Sequence, residues 1–401
     1  MTGTAEELIH HHGNALTVAG QAVHGVPSAV RSGPSAVAVV GDGKAGVVRW
    51  FLDGVTERLE ERGYPVHRPH GRDAMHLDPE VRVILNAVST AEPTSFRRRS
   101  KDIFVVGLAE LEQRPADMLQ AGYSLLVRSL SNVFIPMVRD ADGIDAHFIT
   151  MEQGFHRFEH DGDDNAFFES VVERLIPLAE SRLVIENSFV PDLPQELWRG
   201  DDHTESIHRA GMRMGELDLL PAPWPIEELL SADELRHVKR LFGIGGLSYG
   251  NASARHDGDR FWMSASGVDK SRLREVGTEI LLVTGYDPAT GVVRLSVPPH
   301  VRPRRVSVDA IEHLTIYREH PEVGGILHVH GWMAGALSTE VVYPCGTEEL
   351  ALEVAELVRQ APDPSRAVIG LKNHGLTITG HSLDEILQRV GPSIVRRVPM
   401  D

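Results

Sequence analysis

The chain has 401 residues, enough for two or more domains, with 42% hydrophobic and 24% charged residues, the balance of an ordinary globular protein. Its 40 basic residues against 57 acidic ones leave a formal charge of −17, which argues against nucleic acid or an anionic membrane as the main partner. No apolar run approaches the length of about 18 residues that a membrane helix needs, and the single cysteine, Cys345, excludes an internal disulfide and fits a reducing cytoplasm.

The first thirty residues are read as an N-terminal segment. They show no basic region followed by an apolar core, so no secretory leader is expected, and the three histidines at 10–12 receive no role. Residues 36–40, AVAVV, predict a buried strand. It runs into Gly41, Gly43 and Gly46, then into helical spacing at Val47, Phe51, Val55 and Leu59 that stops near Gly63 and Pro65. Strand, glycine turn and helix form the setting of a dinucleotide fingerprint. No acidic residue ends the next strand-like segment, Tyr64–His67, to hold a ribose diol; Arg68 follows instead. The glycines either admit a phosphate or only shape the turn, and no cofactor-binding residue is assigned. Further β-prone runs at 81–88, 103–108 and 147–151 alternate with a helical pattern ending near Val138 and another over 167–180. This alternation predicts a Rossmann-like α/β domain over residues 31–186.

Residues 187–231 carry five prolines, acidic clusters and scattered tryptophans, and read as a linker. A capping box from Ser231 to Glu234 then opens a second domain, 232–401, with Leu235, Val238 and Phe242 on the apolar side of its first helix.

Chemistry concentrates in that second domain. GGILHVH, 324–330, reads as a short buried strand, so that His328 and His330, two residues apart, project from the same face. Two neutral imidazoles side by side begin a metal site. Downstream, the apolar run 367–371 delivers His374 to a turn at Gly375, where it can complete a three-histidine set. A carboxylate would then serve as fourth ligand or as base.

The order of motifs resembles the class II aldolase/adducin family over about residues 232–390. GNASAR (250–255), FWMSASG (261–267), the Asp309, His313, Tyr317 run, HVH and NHG follow one another as in that family, and Asp309 stands nineteen residues before His328. The resemblance implies an α/β/α domain with a mainly antiparallel sheet. It also implies Gly250, Asn251, Ser266, Gly267 and Ser307 as substrate-binding residues, Asp309 as the catalytic acid or base, and His313 as a structural residue. His328, His330 and His374 would hold a divalent metal, zinc first, with iron, manganese or cobalt as alternatives.

Three departures qualify that picture. Val308 replaces one of the two serines that usually precede the acid, which weakens a phosphate cup. Asp309 stands where the family commonly has glutamate, so a base is withdrawn by about 1.5 Å; Glu312 is the competing acid. Only Thr339–Val342 separate HVHGWMAGALS from YPCGTEELALEV, so the insertion that supplies a tyrosine acid is missing, and Tyr343 belongs to a different position. The expected function is a divalent-metal-dependent aldolase-type lyase acting on a small, oxygenated, unphosphorylated substrate through an enediolate. The alternative uses the same site for decarboxylation, dehydration, epimerisation or Fe(II)-dependent oxygenation; a non-enzymatic, adducin-like binding protein ranks last. The family also implies a homo-oligomer, and the acidic charge speaks against a nucleic-acid or membrane partner.

Overall fold

The computed structural model describes residues 35–396 apart from 42, 44, 45, 70–77, 99, 141, 142, 153, 221–229, 234, 237–248 and 373. They form an α/β protein built on two separate sheets, of seven and nine strands.

The first sheet grows from β1 (Ala36–Val40), whose five residues are all buried. Val37 and Val39 point to one face and Ala36, Ala38 and Val40 to the other, the alternation a strand imposes. Gly46 precedes helix α1 (Val47–Glu61), which turns Phe51, Val55 and Leu59 inward. Then come β2 (Val66–His67), β3 (Val81–Ala87), β4 (Phe104–Leu111), helix α2 (Met118–Arg128), β5 (Val133–Asp140), β6 (Gly143–Thr150), β7 (Phe155–Glu159) and helix α3 (Asp164–Glu180). The strand order is β2-β1-β3-β4-β5-β6-β7, parallel through β5 and antiparallel from β5 to β7. Helices α1 and α3 cover one face, and α2 packs with Phe134 and Ile149 on the other. The helical pattern expected to reach Val138 stops at Arg128: Leu130 takes a left-handed turn, φ 55°, and the β-prone run VFIPMV forms β5 instead.

The glycine turn does not leave the start of α1 open. The Glu110 carboxylate, from β4, accepts the Val47 N–H at 3.1 Å. A negative side chain therefore sits where a phosphate would meet the helix N-terminus.

The segment read as a linker is structured. Residues Glu186–Val190 form β8, an edge strand parallel to β12 of the second sheet, and Asp202–Glu216 form helix α4. Ile207, Ala210 and Met214 of α4 lie in the second core. The acids and prolines that suggested a connection have local duties: Pro191 and Pro194 follow the strand, and Asp201 caps α4 in a reciprocal box with Thr204. Of the box expected at 231–234, Leu235 N–H donates to Ser231 O at 2.9 Å, while Glu234, Val238 and Phe242 lie outside the described residues.

The second sheet adds β9 (Asn251–Asp257), β10 (Arg260–Ser264), β11 (Ile280–Asp287), β12 (Val292–Ser296), β13 (Gly325–Val329), β14 (Leu337–Ser338), β15 (Val368–Leu371) and β16 (Gly375–Gly380). Their order is β14-β15-β16-β13-β9-β10-β11-β12-β8, antiparallel except for the parallel pairs at the two edges. Helix α5 (Ala310–Glu319) packs on α6 (Glu348–Gln360), and α7 (Leu383–Val390) on α4. No described helix is long and apolar enough to cross a membrane.

Candidate metal centre

Strand β13 lies inside the sheet, with His328 opposite Thr377 of β16 and Asn251 of β9. Leu327 and Val329 face the core, so His328 and, just past the strand end, His330 share the opposite side. Both flanking chains press on this strand where the motifs carry glycine. A Cβ on Gly250, φ 77°, would lie 2.6 Å from His328 O, and one on Gly375 would lie 2.2 Å from Val329 O. The glycines of the GN and HG motifs are thus spacing requirements of the histidine strand. His374 sits in the turn between β15 and β16, with its N–H on Leu371 O at 2.9 Å.

The three imidazoles converge. Ring centroids are 5.1 Å apart for His328 and His330, 4.6 Å for His328 and His374, and 5.1 Å for His330 and His374. One nitrogen from each can be chosen so that all lie within 4.8 Å of one another. His328 Nδ1 is 3.1 Å from Leu376 O, and a carbonyl only accepts, so the hydrogen-bond network assigns the proton to Nδ1. That leaves the lone pair of Nε2, a buried atom with no hydrogen-bond partner in the protein. His330 Nδ1 is also buried without a partner. Burial lowers the pKa of all three rings, and for His330 and His374 the neighbouring imidazoles lower it further. Neutral, buried, convergent nitrogens with an unused lone pair fit a divalent metal.

The acid lies beside them, at the start of α5. Asp309 is buried, and its Oδ2 accepts from Asn251 Nδ2 at 2.6 Å; the same amide donates to Ser307 Oγ at 3.1 Å. Asn251 and Ser307, expected around the substrate, are thus brought to the acid. Ser266 and Gly267 occupy the turn after β10, where Ser266 N–H donates to Arg305 O at 2.9 Å. Glu312 is buried too and accepts from Thr377 Oγ1; burial and then the Asp309 charge push its pKa up. His313 is tied to Ser253 Oγ at 2.7 Å, and Ser253 Oγ to Tyr317 OH at 2.9 Å, an internal network behind the site.

Four residues that sequence reasoning did not select also gather here. Lys270, buried and close enough to Asp309 to feel its charge, has its pKa pushed down to about 8 by burial. Tyr249 lies against His330, with ring centroids 5.0 Å apart, and its hydroxyl meets Tyr123 OH of the first half at 3.4 Å. Glu152, in the turn after β6, can bring an oxygen within 4.8 Å of the Cys345 sulfur and a His374 nitrogen, and its pKa is pushed up to about 7 by burial. The Cys345 thiol faces it at 3.9 Å and is held well above its ordinary range by burial. Lys270 stands in DKSR and Glu152 in MEQG, polar tetrapeptides that look like surface turns, and no sequence signal marks them. A second cluster, Asp201, His203 and His256, is accounted for locally: Asp201 caps α4 and accepts from Trp262 Nε1 at 2.9 Å.

A cavity of about 210 Å³ opens between the halves at His374, Glu152 and Cys345. Phe104, Leu126, Leu130, Phe148, Met151 and Leu178 of the first half form much of its wall, and Tyr249, Val342 and Tyr343 line it from the second.

Residues 234–345 match the family model described as the class II aldolase and adducin N-terminal domain; His374 lies beyond the matched span. Two solved structures, of YgbL from Escherichia coli and from Klebsiella pneumoniae, are similar to part of the chain, and both were put forward as an aldolase, epimerase or decarboxylase. Identities are 17% and 16% and TM-scores 0.31 and 0.30, each over 47% of this chain and 85% of the other. At that level the likeness says nothing about the reaction. No curated protein matches the sequence.

Proposed function

We propose, from the match of residues 234–345 to the class II aldolase and adducin domain, a divalent-metal-dependent lyase that cleaves a carbon–carbon bond in a small, oxygenated, unphosphorylated substrate. The observation that carries this reading is the convergence of His328, His330 and His374, with the His328 proton held by Leu376 O and Nε2 left unpartnered. These three side chains would hold the metal, zinc as the first choice. When bound, such an ion supplies Lewis-acid stabilisation of the charge that collects on adjacent carbonyl and hydroxyl oxygens. Asp309 takes or returns the proton of the substrate hydroxyl or carbon. Asn251 holds Oδ2 of that carboxylate, leaving Oδ1, a buried atom with no hydrogen-bond partner in the protein, for the transfer. Absent the family's second serine, the acid end offers few donors for a phosphate dianion.

A second reading is decarboxylation or epimerisation at the same centre, where the buried Lys270 is close enough to Asp309, His328 and His330 for its charge to be felt. Under either reading we take the catalytic half to begin near residue 182, the first half to be Rossmann-like, and the protein to work in the cytoplasm as a homo-oligomer. Light scattering that returns a monomer at micromolar concentration would remove the last of these.

The central test pairs two variants. Elemental analysis should find about one equivalent of divalent metal in the wild type and almost none in His328→Ala. Asp309→Asn should keep the metal, while deuterium exchange into hydroxyacetone, followed by proton NMR, should fall by at least about 100-fold, the lower range for losing a general base. A wild type that takes up no metal, or an Asp309→Asn protein that exchanges at the wild-type rate, refutes the reading.

A further inference from the structure

The cavity at His374 is uneven in its chemistry. Near the histidine stand Glu152, Cys345 and Lys372; the wall supplied by Leu126, Leu130, Phe148, Met151, Leu178 and Val342 is apolar. Two further polar lining groups, Asn132 and Ser131, are already engaged. Asn132 Oδ1 accepts from Val105 N at 2.9 Å and from Arg98 Nη1 at 2.5 Å, and Ser131 Oγ is 2.8 Å from Ser129 Oγ. Among the described lining residues there is one lysine and no arginine, and the Glu152 carboxyl faces the same space. Such walls do not repay the desolvation of a phosphate or a polyhydroxyl chain. The volume is the second constraint. About 210 Å³ exceeds the roughly 150 Å³ of an apolar cavity known to admit benzene, so a six-membered ring or a branched alkyl group of similar bulk fits.

We infer that the substrate is built in two parts: an oxygen-bearing head at the three histidines, joined to an uncharged apolar group of ring or branched-chain size that is bound by the first half of the chain. This deepens the metal-centre reading and rests on it. It also gives the first half a task, since most of the apolar wall comes from its strands and helices, and β5, β6 and α2 supply several of those side chains. The chemical class is therefore an aryl- or branched-alkyl-substituted hydroxycarbonyl compound, distinct from a sugar phosphate.

Hydroxamates test this without the substrate, because they place two adjacent oxygens on a metal and carry any chosen tail. Full-length protein is loaded with zinc, its metal content is measured, and acetohydroxamate, phenylacetohydroxamate and phosphoglycolohydroxamate are titrated by calorimetry. Burying the phenyl group should make phenylacetohydroxamate at least about tenfold tighter than acetohydroxamate, with the phosphorylated compound the weakest. Met151→Asp charges a half-buried wall position, and Val342→Trp fills the cavity. Each should cut the phenyl-over-methyl ratio below threefold while one equivalent of metal is retained, which reports an intact fold. If metal loads and acetohydroxamate binds but the phenyl group adds nothing, the two-part substrate is overturned and the metal centre stands. A phosphorylated probe that binds tightest overturns it as well, as does a phenyl preference that survives in both variants. Failure to load any metal brings down the metal reading and, with it, the inference.

Discussion

The hydrogen bond from Asn251 to Asp309 offers the most direct check on how the acid is held. It joins two buried side chains at 2.6 Å, and its acceptor is a carboxylate. A hydrogen bond to a charged group contributes about 1.5–3 kcal/mol, and the second bond of the amide, to Ser307 Oγ, adds about 1 kcal/mol. Asn251→Ala should therefore destabilise the metal-free protein by about 2.5–4 kcal/mol. Asn251→Asp should cost more than alanine, because it sets a second carboxylate against Asp309. In a double-mutant cycle with Asp309→Ala, the coupling should be about 1.5–3 kcal/mol, since only the shared bond fails to add. Urea unfolding in the presence of chelator measures the wild type and all four variants free of metal linkage. A coupling below about 0.5 kcal/mol, or an aspartate variant more stable than the alanine one, would refute the account of Asn251 as the support of the acid.

Gly250→Ala should cost about 2–5 kcal/mol, from a left-handed backbone and a Cβ placed against His328 O, and should weaken zinc binding at least tenfold; zinc-buffer competition returning the wild-type affinity would defeat it. Chelator should lower the thermal midpoint of the wild type, by the equivalent of about 2.7 kcal/mol for metal at 100 times its Kd, and leave that of His328→Ala in place. His147, stacked on Phe155 in the first sheet, has its pKa pushed down to about 4 by burial. Between pH 6.5 and 4 the unfolded chain binds that proton and the folded one does not. Stability from this ring is therefore intact above about pH 6.5 and falls by about 3 kcal/mol as the pH drops to 4. His147→Leu should flatten that part of the urea-midpoint profile, and an unchanged slope would count against the assignment.

Local signals in the chain were readable where the physics is local. AVAVV followed by glycine and an i, i+4 apolar pattern became β1 and α1, and the HVH alternation put His328 and His330 on one side of β13. What escaped depends on contacts distant in sequence. The run NSFV became an edge strand only because β12, about a hundred residues on, offers its free side. Lys270 and Glu152 are polar residues in turns, and nothing in their neighbours says that another segment will bury them. Asn251 illustrates a subtler limit. Its motif assigned it to the substrate pocket, and only the fold reveals that its amide is taken up by Asp309 and Ser307.

The stretch between α3 and β8 bears on how the molecule can be cut. Residues 181–185 are not a loose tether: Val184 N–H reaches Gly346 O at 2.7 Å, Glu348 N–H reaches Arg182 O at 3.0 Å, and Leu183 bridges Thr347. A truncation at residue 232, where composition suggests a boundary, would strip away β8 and α4, bare the edge of β12 and expose the core around Ile207 and Met214. An open edge beside exposed apolar surface favours aggregation. A protease given the native protein should accordingly spare this junction, and a C-terminal fragment intended to fold alone would have to start before Arg182, carrying with it the strand that seals the sheet.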